Sequence, residues 1–174
     1  MRAMALLIMG MMVALCSGCS PFSVAKAGLK VVKGVDADVL PVRDVTTGKL
    51  SAYNTLKLGK VGSDLGPICP AEAISEVRAK ARENFADETK DSFKGGPKVL
   101  VANIAVRFFK KKGRIGGEGR LDLYVTLVDG ESGEEVGRLY VEGISESPMH
   151  TGIDDMAKKT TEKLAKYLNK KKKD

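Results

Sequence analysis

The side chains able to do chemistry are few, and their spacing argues against most reactions. There are three cysteines, Cys16, Cys19 and Cys69, and a single histidine, His150. Cys16-x-x-Cys19 has the spacing of half a tetrahedral zinc site, but Cys16 lies in an apolar run and no second ligand pair exists. A Ser-His-Asp arrangement would depend on His150 alone, and no serine stands in a nucleophile's context. "GESG", residues 130–133, falls short of the five-residue Gly-x-Ser-x-Gly elbow, which sits between strand and helix. The glycines of "GRIGGEG", residues 113–119, would need a following helix to cradle a phosphate, and a strand pattern follows instead. Asp154-Asp155 sits at a helix start, where carboxylates complement the macrodipole. Asp36-x-Asp38 lacks the remainder of a calcium loop. The residues point to no catalytic site, no metal and no cofactor.

The elements that would position any site follow from the apolar periodicity. The chain has 174 residues, 43% hydrophobic and 29% charged, which suits one soluble domain of ordinary size. Tryptophan is absent and aromatics make up 5%, so platforms for stacking bases or sugars are poorly supplied. Residues 53–61 place Leu56 and Leu58 on alternate positions and read as a strand. "GSDLGPICP" is a breaker-rich loop, with Cys69 expected as a small, partly buried side chain ahead of a helix. Pro70 opens that helix, whose apolar stripe is Ile74, Val77, Ala81 and Phe85, and "KGGP" at 94–97 ends it.

Three strands follow. The first carries Leu100, Ala102, Ile104, Val106 and Phe108 on one face. The second sets Leu121, Leu123, Val125 and Leu127 against Arg120, Asp122, Tyr124 and Thr126, and the third points Leu139 and Val141 inward. Period two with one polar face predicts a half-exposed antiparallel sheet. A last helix begins near Thr151, with Asp154 as the acidic end of a weak capping box, and Ile153, Met156, Ala157, Thr160, Leu164 and Leu168 make its apolar stripe. The expected fold is α+β, a two-layer sandwich in the order strand, helix, three-strand antiparallel meander, helix, with both helices on one face. The domain is expected over 51–169, after a tether at 19–50 with room for one short strand and before a basic tail at 170–174.

The amino-terminal run sets the address. Met1-Arg2 is a short basic head, and Ala3 to Leu15 is apolar except for Gly10, too short for the roughly 20 residues of a spanning helix. This is the layout of a secretory signal, residues 1–18. Its end, "CSGC", resembles the lipobox of bacterial lipoproteins, commonly Leu-Ser/Ala-Gly/Ala-Cys, with Cys16 standing where Leu, Val or Ile is usual. The resemblance implies cleavage before Cys19 and acylation of Cys19, which leaves Cys69 as the one cysteine of the mature chain. A membrane partner through the lipid on Cys19 follows, since more than one acyl chain anchors stably. An ordinary cleaved signal peptide is the alternative. Under the sorting rule of enterobacterial lipoproteins, Asp after the lipidated cysteine retains the protein in the inner membrane. Ser20 stands there, so the implied location is the outer membrane, facing the periplasm.

The stretches "TLKLGKVGSDLG…PAEAISEV" and "FKGGPKVLVANIAVRFFKKKGRIGGEGRLDLYVTLVDGESGEEVGRLYVEGIS", with the final amphipathic helix, resemble a family of bacterial envelope lipoproteins carrying a domain of unknown function. The likeness spans roughly residues 50–168. It implies a fold similar to the periplasmic domain of curli-secretion lipoproteins and the amino-terminal domain of the Tol translocation protein. It brings no catalytic residues.

Charge is the remaining signal. Lys110, Lys111, Lys112, Arg114 and Arg120 gather around one hairpin and form the candidate site for an anion or a partner. Lys170 to Lys173 make a second basic run. Export separates the chain from nucleic acid, so the fitting partners are anionic lipid or another envelope protein. The expected role is a non-enzymatic interaction module of the cell envelope. The competing readings are an envelope enzyme with an unrecognised site and a passive surface protein.

Overall fold

A computed structural model describes residues 34–43, 50–111, 117–146 and 152–174. Cys19, Lys112, Arg114, His150 and Thr151 lie outside these residues. The elements, in chain order, are β1 (Val35–Arg43), β2 (Thr55–Ser63), α1 (Ala71–Thr89), β3 (Val99–Lys110), β4 (Gly119–Asp129), β5 (Glu135–Ser145) and α2 (Ile153–Lys173). Short 3-10 turns lie at Leu50–Ala52 and Gly66–Ile68. The fold is α+β: a five-stranded mixed sheet in the order β1-β5-β4-β3-β2, with two helices packed against it.

Alternation builds the core. Leu100, Ala102, Ile104 and Val106 of β3, Leu121 to Leu127 at every second position of β4, and Leu139 and Val141 of β5 are at most 2% exposed. Each such leucine removed from water contributes on the order of 2 kcal/mol. Val77 and Ala81 of α1 and Met156, Ala157, Leu164, Ala165 and Leu168 of α2 close the layer from one side. The two helices are joined by Asn84, which donates to Thr161 Oγ1 at 2.7 Å and to the Lys158 carbonyl at 3.1 Å. Gly143 marks a close approach of α2 to the sheet, because a methyl there would overlap Thr160 Cγ2.

Four features depart from expectation. First, the stretch read as a tether supplies β1, antiparallel to β5, so the folded domain starts near Val35 rather than at 51. Pro41 is tolerated because β1 is an edge strand. Second, β2 and β3 run parallel, since α1 lies between them and returns the chain to the starting end. Third, a bulge between Val106 and Phe108 shifts the phase of β3. Phe108, expected inside, is 42% exposed, and Phe109 packs against the core in its place. Fourth, α2 is capped by Gly152 with no side-chain hydrogen bond, and Lys170–Lys173 form its last turn rather than a separate tail.

Both open edges of the sheet are blunted. On β2 a register shift lies between Leu58 and Val61, Lys57 and Lys60 are exposed, and Arg78 of α1 donates to the Val61 carbonyl at 3.0 Å. Asn103 accepts from the Lys60 amide at 2.8 Å and fixes the bulge. On β1, Pro41 lacks a donor, and Asp36 and Asp38 are exposed.

Candidate functional site

The bulge in β3 and the start of β4 decide where the hairpin cations go. Lys110 is the last residue of β3, directly opposite Arg120, and Lys111 follows it; both lysines are exposed. Arg120 does not share their situation. It lies back along the helix-free face, with Nε 2.9 Å from both oxygens of Asp122 and a terminal nitrogen 2.7 Å from Glu142 Oε1. Its guanidinium also sits 5.5 Å from the centre of the exposed Phe108 ring. The hydrogen bond to Asp122 raises the Arg120 pKa above its ordinary value. Of the five predicted site residues, the described part of the hairpin thus presents Lys110 and Lys111 to solvent and commits Arg120 to ion pairs. Arg107 is similarly committed, to Asp64 at 2.9 Å and to the Tyr124 ring at 4.8 Å.

The helix-free face carries a polar ladder that sequence reasoning did not assemble. Asp122 points to this face, yet it is 1% exposed because Arg120, Tyr140 and Glu142 close over it. Tyr140 donates to Asp122 Oδ2 at 2.5 Å, and burial first, then Asp122, raises the phenol's pKa. Further along β5, Glu135 accepts from Arg138 at 2.5 and 2.7 Å and from Arg43 at 3.2 Å, and Arg138 chiefly holds its carboxyl below the usual range. Opposite signs at outward positions of adjacent strands were visible; their pairing required the register.

At the other end of the sheet, Asp129 organises the β4–β5 turn. Its carboxylate accepts from the Glu131 and Ser132 amides at 2.9 and 3.0 Å and from the Tyr53 hydroxyl at 3.0 Å. Those bonds, the Ser132 amide's first, hold it at about 2. Tyr53 is pushed up to about 12, by burial first and then by Asp129. These shifts favour the charge states the groups already carry near neutrality. A proton carrier working near pH 7 would need shifts toward it.

A groove of about 540 Å³ lies between the helices beside Gly34, lined by Asn84, Asp87, Glu88, Lys158 and Lys159 among others. One of its cations, Lys159, pairs with Glu162 at 3.0 Å. Among the described residues, no group of three or more His, Cys, Asp or Glu could hold a metal, and no helix is long and apolar enough to cross a membrane. Cys69 is free and buried before α1, where it was expected.

No family model and no curated protein matches the chain. The fold is similar to solved structures. A DUF330 protein from Xanthomonas campestris superposes with a TM-score of 0.50 at 14% identity, over 75% of this chain and 93% of that one. A PelC dodecamer from Paraburkholderia phytofirmans gives 0.41 at 16% identity, over 78% and 97%. A candidate lipoprotein from Caulobacter crescentus CB15 gives 0.38 at 16% identity, over 70% and 90%. At such identities the likeness is one of fold.

Proposed function

We propose that the chain is a lipid-anchored protein of the bacterial cell envelope, held by acyl chains on Cys19, whose α+β domain serves as a non-enzymatic interaction module in envelope assembly, transport or maintenance. The observation that carries this reading is Ser17-Gly18-Cys19 directly after a short apolar run. The buried position of Cys69 fits it, because the one cysteine left in the mature domain is structural. The module role rests on the helix-free face, where Leu40 and Val42 are more than half exposed at the edge beside Tyr140. Ser20 favours the outer membrane, facing the periplasm, and the likeness to curli-secretion and Tol domains belongs to the same proposal. Lys110 and Lys111, with Lys112 and Arg114 next to them in the sequence, are the basic residues offered to a partner or to anionic lipid, while Arg120 is held by Asp122 and Glu142.

Intact-mass analysis of protein extracted from membranes tests the anchor. The expected product begins at Cys19 with a blocked amino terminus and added acyl mass. A free amino terminus beyond Cys19 overturns the reading. Fractionation solely with inner-membrane markers removes the outer-membrane assignment.

A further inference from the structure

The strand register places the start of β1 and the basic hairpin at one end of the sheet. Val35 pairs with Ser145, Ser145 with Gly119, and Lys110 with Arg120. The turn after β2 belongs to this end too, since Ser63 pairs with Val106 and Asp64 bridges to Arg107. In that turn Ile68 is 83% exposed. Its exposure is built in rather than incidental. Cys69 turns into the core, its amide donating to the Gly66 carbonyl at 3.2 Å, and the Leu65 amide is held by Ser63 Oγ at 3.0 Å. The closed turn therefore holds Ile68 outward, beside the exposed Pro67.

Four large apolar side chains are exposed among the described residues: Leu40, Val42, Ile68 and Phe108. Ile68 and Phe108 share this end with the exposed Lys110 and Lys111. Of the acids nearby, Asp64 is paired with Arg107 and both Asp122 and Glu142 with Arg120, while the exposed Asp36, Glu72, Glu118 and Asp154 oppose the lysines. Apolar residues flanked by lysines are the composition of an interfacial membrane contact. Chain geometry selects the same occupant. Cys19 lies about 15 residues before Gly34, so an extended connection reaches at most roughly 50 Å. A domain tethered so closely, and at this end, meets the membrane that holds it.

We infer that this end of the sheet rests on the anionic surface of the anchoring membrane, with Ile68 and Phe108 at the headgroup–acyl boundary and Lys110 and Lys111 on lipid phosphates. The inference rests on the Cys19 anchor proposed above. It leaves Leu40 and Val42, on the far part of β1, directed away from the lipid.

The test uses the full acylated chain in a Cys69→Ala background, carrying an environment-sensitive fluorophore at Ile68→Cys or, as control, at Val42→Cys. It is reconstituted on vesicles of equal parts phosphatidylethanolamine and phosphatidylglycerol, some with headgroup-proximal quencher lipids. The label at position 68 is expected to shift to the blue and be quenched, and the label at 42 to do neither. Lys110→Glu with Lys111→Glu should abolish the quenching at 68 while the chain still floats with the vesicles. Failure to float overturns the anchor. Flotation with a solvent-like label at 68, or equal quenching at 42, leaves the anchor standing and overturns the orientation. Quenching that survives the double charge reversal overturns the assignment of the lysines.

Discussion

Tyr140 and Asp122 are diagonal neighbours on β5 and β4, with the phenol oxygen 2.5 Å from a carboxylate that is almost wholly buried on the face the helices leave open. Arg120 reaches the same carboxylate from its own strand, so one acidic group holds two partners in place.

Asp122→Ala should therefore cost more than either partner's removal. Loss of the carboxylate leaves Arg120 and Tyr140 covering a polar void, an expected cost of about 2–3 kcal/mol, at the low end for a buried pair because Arg120 reaches water. Tyr140→Phe removes one hydrogen bond, for about 1 kcal/mol. Urea unfolding midpoints of the single and double variants measure both values. Strictly additive losses would show that the three groups act separately.

Acid should weaken the fold through Asp129. Its carboxyl lies at about 2 in the folded state against an ordinary 3.8, so it binds protons less readily folded than unfolded. Its stabilising contribution is complete above 3.8 and is lost as pH falls through about 2. Glu135, lowered by Arg138, and Glu162, lowered by Lys166, add losses of the same sign. Asp129→Asn should be less stable than the parent at neutral pH, and the gap should narrow below 3.8, as read by urea titrations followed by near-UV circular dichroism. A constant gap at all pH values would assign the effect to turn geometry instead of charge.

Gly143→Ala should destabilise by about 1–3 kcal/mol, because the added methyl meets Thr160 Cγ2 and pushes α2 from the sheet. Thr160→Ser deletes that methyl while keeping the hydroxyl, which donates to the Met156 carbonyl at 2.7 Å. In that background the cost of Gly143→Ala should shrink by more than half. Thermal unfolding of the four proteins reads the coupling directly.

Much of this architecture was legible because periodicity is a statement about faces. The stripes of α1 and α2 and the inward positions of β4 and β5 emerged where alternation predicted them. Phe108 did not, since a bulge inserts one residue and reverses every side chain beyond it without leaving a mark in composition. β1 was hidden for another reason: an edge strand pairs on one side only, so it can carry Pro41, exposed acids and a short apolar set. Arg120 looked like one more hairpin cation because Glu142 reaches it only through the β4–β5 register, although Asp122 stands two residues on along its own strand. Ile68 drew no attention, as one isoleucine in a loop has no periodicity to read.

Reversing Lys110 and Lys111 to Glu should change folding stability by less than about 0.5 kcal/mol, because exposed substitutions away from packed groups rarely exceed that. Chemical denaturation midpoints check this. A loss much larger than that would mean the hairpin is part of the folded framework and not a surface offered to a partner.

The two rims of the sheet have a consequence for life at high density. At high concentration, copies of a chain with open sheet rims meet often enough for strand-to-strand growth. Here one rim ends in a proline-bearing, acidic strand and the other in a lysine-bearing, bulged strand whose Val61 carbonyl is already occupied by Arg78. Neighbouring copies thus find no template to extend, and the domain can be crowded without zipping into ribbons.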